Sequence, residues 1–240
     1  MDDSRRRAAL VAEGDAIAAI PQEAYGAPVA ACPGWDVARL ISHLGRVHRW
    51  ATGFLRGEDA PVPRPDREDL SEWYRESRDL LLRQLDGMDL DAEIDTFIGR
   101  RTVRFWLRRQ AHETAMHRWD AQDAVRPGAA APIDADFAGD GIDEWLHVFV
   151  PRFLARVDVP GDLAGAATQF TCTDLGLPPW TLRLTHPEPT IDYGAAAADT
   201  VLSGSAADLL LTVWHRQPAT PPEATDAGLA RRVLDLIHVT

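Results

Sequence analysis

At 240 residues the chain can bury a substantial core, as one large domain or two modest ones. Its formal net charge of −12 argues against nucleic acid or an anionic membrane as partner, because either demands a concentrated basic patch and none is apparent. The two cysteines, Cys32 and Cys172, are far apart and form no Cys-x-x-Cys motif, and no apolar run approaches membrane-spanning length, so a thiolate zinc site, a disulfide framework and a membrane anchor are not expected. The expectation is a soluble, cytoplasmic protein.

From about Ser4 to Ile20, Leu10, Val11, Ile17, Ala18 and Ile20 fit one helical face, and Pro21 ends the segment, although Gly14 lies inside it. Pro33-Gly34-Trp35-Asp36 reads as a turn feeding a second helix capped by Asp36, with Val37, Leu40, Ile41, Leu44, Val47, Ala51, Phe54 and Leu55 as its apolar stripe and Gly57 as its end. The run Pro61-Val62-Pro63-Arg64-Pro65 cannot be helical, and a third helix is expected from Asp69 to Leu85. Leu90 to Arg101 reads as irregular or briefly extended. A fourth helix then spans about Thr102 to Ala124, stopped by Pro127-Gly128.

These four helices suggest an antiparallel bundle. Ala129-Ala130-Ala131-Pro132 resembles a linker, which places domains at 1–130 and 131–240. A fifth helix through Ile142, Trp145, Leu146, Phe149 and Leu154 opens the second half. Short β-prone pieces follow at Gln169–Thr173, Trp180–Thr185 and Thr200–Leu202, and then helical segments at Ser205–Trp214 and Leu229–Ile237. The expected class is α+β.

Glu113 and His117 are four residues apart in the fourth helix, so they project from one face about one turn apart. His43 lies on the shoulder of the second helix's stripe, where bundle packing can aim it at that pair. Two imidazoles and a carboxylate leave a coordination position open, as a catalytic divalent metal requires. His112-Glu113-x-x-x-His117 is not the zinc-peptidase motif, since His112 and His117 are roughly 140° apart on a helix. Asp120 is placed to receive a hydrogen bond from a ligating imidazole. His48 is the alternative ligand should His43 point away, and Cys32, in a loop without a basic neighbour, reads as inert.

Three stretches carry a family resemblance: Cys32-Pro33-Gly34-Trp35-Asp36-Val37 through Leu40, His43-Leu44 and Val47-His48-Arg49-Trp50; His112 through Asp120; and Gly204 through Leu211 with Trp214-His215-Arg216. In these the chain resembles the mycothiol-dependent maleylpyruvate isomerase family. The resemblance implies a DinB-like four-helix bundle followed by a smaller C-terminal α/β domain, with His43, Glu113 and His117 binding a divalent metal, zinc in the family. It implies mycothiol as thiol cosubstrate and a small electrophilic substrate, with Arg216 handling an anionic group, in a monomer or homodimer. The implied reaction is cis-trans isomerisation of maleylpyruvate or a related compound. A mycothiol S-transferase, or a non-catalytic metal-binding module, are the alternatives.

Overall fold

The computed structural model describes residues 1–58, 62 and 70–238, which fall into two compact units, Met1–Pro132 and Ile133–Thr240. Most of the proline-rich 61–65 run, and the expected start of the third helix at Asp69, lie outside the described residues. The fold is α+β: helices build the first unit, and a sheet with helices builds the second.

In the first unit α1 (Asp3–Ala18) is capped by Asp2, whose carboxylate accepts from the Arg5 amide at 2.8 Å. Its partner is α4 (Val103–Val125), whereas α2 (Val37–Arg56) pairs with α3 (Leu70–Asp86) and also meets α4. Asp36 caps α2 by accepting from the Arg39 amide at 2.8 Å. Gly57 ends it at φ +68°, a left-handed conformation that favours glycine. The stripe expected on α2 is inward, with Leu40, Ile41, Leu44 and Ala51 at 1% exposure or less. Burial of each such leucine or isoleucine is worth about 1.5–3 kcal/mol, so these few side chains outweigh any helical-propensity term in α2.

Two glycines inside helices are explained by close approach. A Cβ on Gly14 of α1 would lie 2.5 Å from the Arg78 Cδ, and one on Gly45 of α2 would lie 2.2 Å from a ring carbon of Trp73 on α3. Gly45→Ala should therefore destabilise the protein by about 1–3 kcal/mol, as overpacking does, in place of the gain of about 1 kcal/mol that alanine brings to an open helix. Chemical denaturation checks this, and an unchanged or raised midpoint would show that the Trp73 ring yields freely.

The segment expected to be irregular or briefly extended between Leu90 and Arg101 is extended, as a hairpin of β1 (Glu93–Thr96) and β2 (Gly99–Thr102), paired Glu93 to Thr102 and Thr96 to Gly99. Its sequence lacks the apolar alternation of a half-buried strand, and the turn is closed by Thr96, whose hydroxyl donates to the Gly99 carbonyl at 2.6 Å. Phe97 at its tip joins Trp50 of α2 and Trp106 of α4 with ring centroids 5.5 and 5.8 Å away, fixing the entry to α4.

The second unit opens with α5 (Ala135–Glu144), which runs through a π-helical turn (Trp145–Phe149) into α6 (Val150–Leu154). Strands β3 (Ala167–Cys172), β4 (Trp180–Arg183), β5 (Thr190–Tyr193), β6 (Thr200–Gly204) and β7 (Glu223–Ala224) form one sheet in the order β5-β4-β3-β6-β7. Only β3 and β6 are parallel, in register Thr168 to Thr200. Helices α7 (Ala206–Val213) and α8 (Ala227–Asp235) complete the unit, each capped by an Ser205 or Asp226 side chain. Strands β5 and β7 were not expected from sequence, being short and mostly exposed.

Candidate metal centre

Neighbouring helices of the bundle carry the site. On α2, the Pro33-Gly34-Trp35 turn is closed by the Trp35 amide donating to the Cys32 carbonyl at 2.9 Å and the Cys32 amide donating to Val29 at 3.1 Å. Trp35 thereby packs on His43, with ring centroids 4.9 Å apart. That contact restrains the imidazole.

Across from it, Glu113 and His117 occupy one face of α4. Glu113 Oε1 lies 3.2 Å from His43 Nε2 and 3.3 Å from His117 Nε2, and the two imidazole centroids are 5.2 Å apart. The three potential ligand atoms all fall within 4.8 Å of one another. A tetrahedral zinc with ligands at about 2.1 Å has ligand-to-ligand edges of about 3.4 Å, and the two carboxylate-to-imidazole separations are close to that edge.

Two supports hold the carboxylate and one imidazole. Arg109, one turn earlier on α4 and only 4% exposed, donates to Glu113 Oε2 at 3.0 Å, which leaves Oε1 facing the histidines. Asp120, whose side chain is fully buried, sits 3.0 Å from His117 Nδ1. A proton on Nδ1, held by Asp120, turns Nε2 toward Glu113 and His43, where loss of the Nε2 proton would expose a lone pair for a metal. The sequence put Asp120 near the face of Glu113 and His117, as a carboxylate able to accept from a ligating imidazole. It did not single out Arg109, although an i, i+4 Arg-Glu pair is a recognisable signal.

Electrostatics follow from these contacts. Burial works to raise the Glu113 pKa, but hydrogen bonds from His117 and His43 and the charges of His117 and Arg109 outweigh it, holding the carboxyl well below its ordinary range. Burial likewise works to lower the His117 pKa, and its bonds to Asp120 and Glu113 overcome that and raise it to about 9. The pair is thus ionised at neutral pH.

His48 is not part of this group. It is fully buried, five residues and roughly 140° around α2 from His43, and its Nδ1 pairs with Gln110 Oε1 at 2.8 Å. Burial pushes its pKa down to about 4, with the Gln110 bond opposing weakly. Below pH 6.5 the unfolded chain takes up a proton that the folded chain refuses, so stability present above pH 6.5 is lost as the pH falls toward 4, by up to about 3 kcal/mol. Unfolding measured at pH 7 and pH 4.5 should show this loss, and His48→Gln should remove that part of it. An unaltered pH profile in the variant would contradict the neutral buried assignment.

Arg216 lies in the second unit just past α7, 9% exposed, with one guanidinium nitrogen donating to the Trp214 carbonyl at 2.7 Å. The surroundings of Cys32 differ from the sequence reading of a loop cysteine without a basic neighbour: its sulfur lies within 4.8 Å of a ligand atom of His117 and one of Asp120. No helix of the described residues is long and apolar enough to cross a membrane.

Residues 6–122 match the family model described as the mycothiol maleylpyruvate isomerase N-terminal domain. Among solved structures, the chain is similar to a crystal structure of the mycothiol-dependent maleylpyruvate isomerase, with 16% identity, a TM-score of 0.64, and 94% of this chain and 93% of that one covered. A His-to-Ala mutant of that isomerase gives 15% identity and a TM-score of 0.59 over the same shares. No curated protein sequence matches. At these identities the structures speak for the fold, and the family model speaks for the bundle that carries the centre. Residues 6–122, which carry His43, Glu113 and His117, thus correspond to the N-terminal domain of the mycothiol maleylpyruvate isomerase type.

Proposed function

We propose that this chain uses a divalent metal and mycothiol to isomerise maleylpyruvate or a closely related unsaturated acid. The observation that carries the reading is the convergence of His43 Nε2, His117 Nε2 and Glu113 Oε1 at separations suited to one cation. His43, Glu113 and His117 hold the ion, Arg109 fixes which carboxylate oxygen faces it, and Asp120 fixes the His117 tautomer. Two neutral imidazoles and one carboxylate leave a position for an exogenous ligand. A divalent cation, when bound, favours the thiolate of an incoming thiol whose free pKa is near ~8.5.

On this reading the sulfur adds reversibly to the substrate's activated double bond, the bond rotates as a single bond, and elimination returns the thiol with the trans product. Arg216 is assigned a substrate carboxylate, which a guanidinium grips with two parallel hydrogen bonds. Arg216→Met is then expected to raise KM for the anionic substrate by about tenfold or more while thiol-free metal binding is unchanged.

Because His117 is held protonated up to about pH 9 by Asp120 and Glu113, uptake of the ion must expel a proton. Calorimetric titration at pH 7 in buffers of different ionisation enthalpy should show that release, and apparent affinity should climb with pH toward 9. Heats independent of buffer would contradict the ligand role of His117.

The activity is tested by incubating the metal-loaded protein with mycothiol and maleylpyruvate. Fumarylpyruvate formed with no net thiol consumption is the expected result. Accumulation of a stable thiol conjugate would make the chain an S-transferase, and retained metal without thiol-dependent chemistry would make it a binding module.

A further inference from the structure

Cys32 was read from the sequence as inert because it is a loop cysteine with no basic neighbour along the chain. Folding brings it to His117, whose side chain is 85 positions away, and to Asp120 on the same helix face. The sulfur, a His117 ring nitrogen and an Asp120 oxygen all lie within 4.8 Å of one another. The Cys32 backbone is fixed by its bonds to Val29 and Trp35, and its side chain packs against the apolar cluster that includes Val37 and Ala38, so its position is set before any ligand arrives.

We propose that Cys32, His117 and Asp120 form a second metal site, suited to a thiophilic divalent cation and mutually exclusive with the His43, Glu113, His117 centre. The donor chemistry sets the preference: a thiolate selects soft and borderline ions such as cadmium, which an imidazole and carboxylate set alone does not. Charge favours it as well. One thiolate, one carboxylate and a neutral imidazole cancel a divalent charge, whereas the first set leaves one positive charge beside the Arg109 guanidinium.

Exclusivity follows from the shared ring. His117 Nδ1 faces Asp120 at 3.0 Å and Nε2 faces Glu113 at 3.3 Å. A neutral imidazole has one lone-pair nitrogen, so ligation through Nδ1 puts the proton on Nε2, which then donates to Glu113 and is lost to the first centre. A soft ion at Cys32 would in this way switch off the thiol-activating centre by fixing the other tautomer.

The experiment is a cadmium titration of zinc-equilibrated protein, read by thiolate-to-cadmium charge-transfer absorption and by zinc appearing on a chromophoric chelator. Wild type should develop the band to saturation at a single equivalent, with release of zinc. Cys32→Ser and Cys32→Ala, both of which retain Cys172, should show no band, Asp120→Asn should need at least about tenfold more cadmium, and far-UV circular dichroism should confirm that all remain folded. His43→Ala should keep the band, which separates this site from the first: the band survives there even if the isomerase reading is wrong. No band in wild type, a band unchanged in both Asp120→Asn and His117→Ala, or a band that forms while zinc stays bound would overturn the proposal.

Discussion

Glu113→Gln is expected to strip the protein of its retained metal and to lower thiol-dependent activity by more than about 100-fold, with the fold intact. Outer partners of a metal ligand are worth about 10–100-fold in affinity, so a ligand whose oxygen lies 3.2 and 3.3 Å from both imidazole nitrogens must be worth more. Glutamine is the informative replacement. It keeps the length and an acceptor for Arg109, which is 4% exposed and would otherwise lose the carboxylate it donates to. His43→Ala should match it in metal loss at little structural cost, since that side chain is 34% exposed. Metal content by elemental analysis, beside thermal unfolding of the same samples, checks both. Unchanged stoichiometry in either variant would remove that residue from the ligand set.

Arg118→Met is the substitution expected to cost most stability. The guanidinium, 3% exposed, pairs with Glu13 of α1, bonds Gln122 at 3.1 Å, and donates to the Ala131 and Pro132 carbonyls. It therefore ties α4 to α1 and to the last residues of the first unit. Removing one partner of a buried pair leaves the other uncompensated, which costs about 3–5 kcal/mol, well above the about 0–1 kcal/mol of an exposed pair such as Arg7 with Asp86. Melting temperature should fall by about 10 °C or more. The double variant Arg118→Met with Glu13→Leu should recover much of the loss, because it removes the stranded carboxylate. A loss below about 1 kcal/mol for Arg118→Met alone would mean that water reaches the pair.

The helical bundle and the convergence of His43, Glu113 and His117 were readable because they rest on local rules. Asp36 as cap, Gly57 as terminator and the α2 stripe follow from positions a few residues apart, and so does the shared face of Glu113 and His117. The approach of His43 needed only that an amphipathic helix bury its stripe. What escaped depends on contacts distant in sequence. Brief extension between Leu90 and Arg101 was expected, but the pairing of the Glu93–Thr102 hairpin has no alternating apolar pattern behind it and is held by Phe97 packing on Trp50 and Trp106. The π-helical turn at Trp145–Phe149 breaks a fifth helix whose apolar spacing looked continuous. The nearness of Cys32 to His117 arises from a turn folding back on α2, which spacing along the chain does not encode.

Anomalous diffraction from crystals grown with zinc tests the central claim most directly. A single peak is expected about 2.0–2.2 Å from His43 Nε2, His117 Nε2 and a Glu113 oxygen, with the His117 Nδ1 still on Asp120. A peak elsewhere in the chain, or none among these three side chains at saturating zinc, would contradict it.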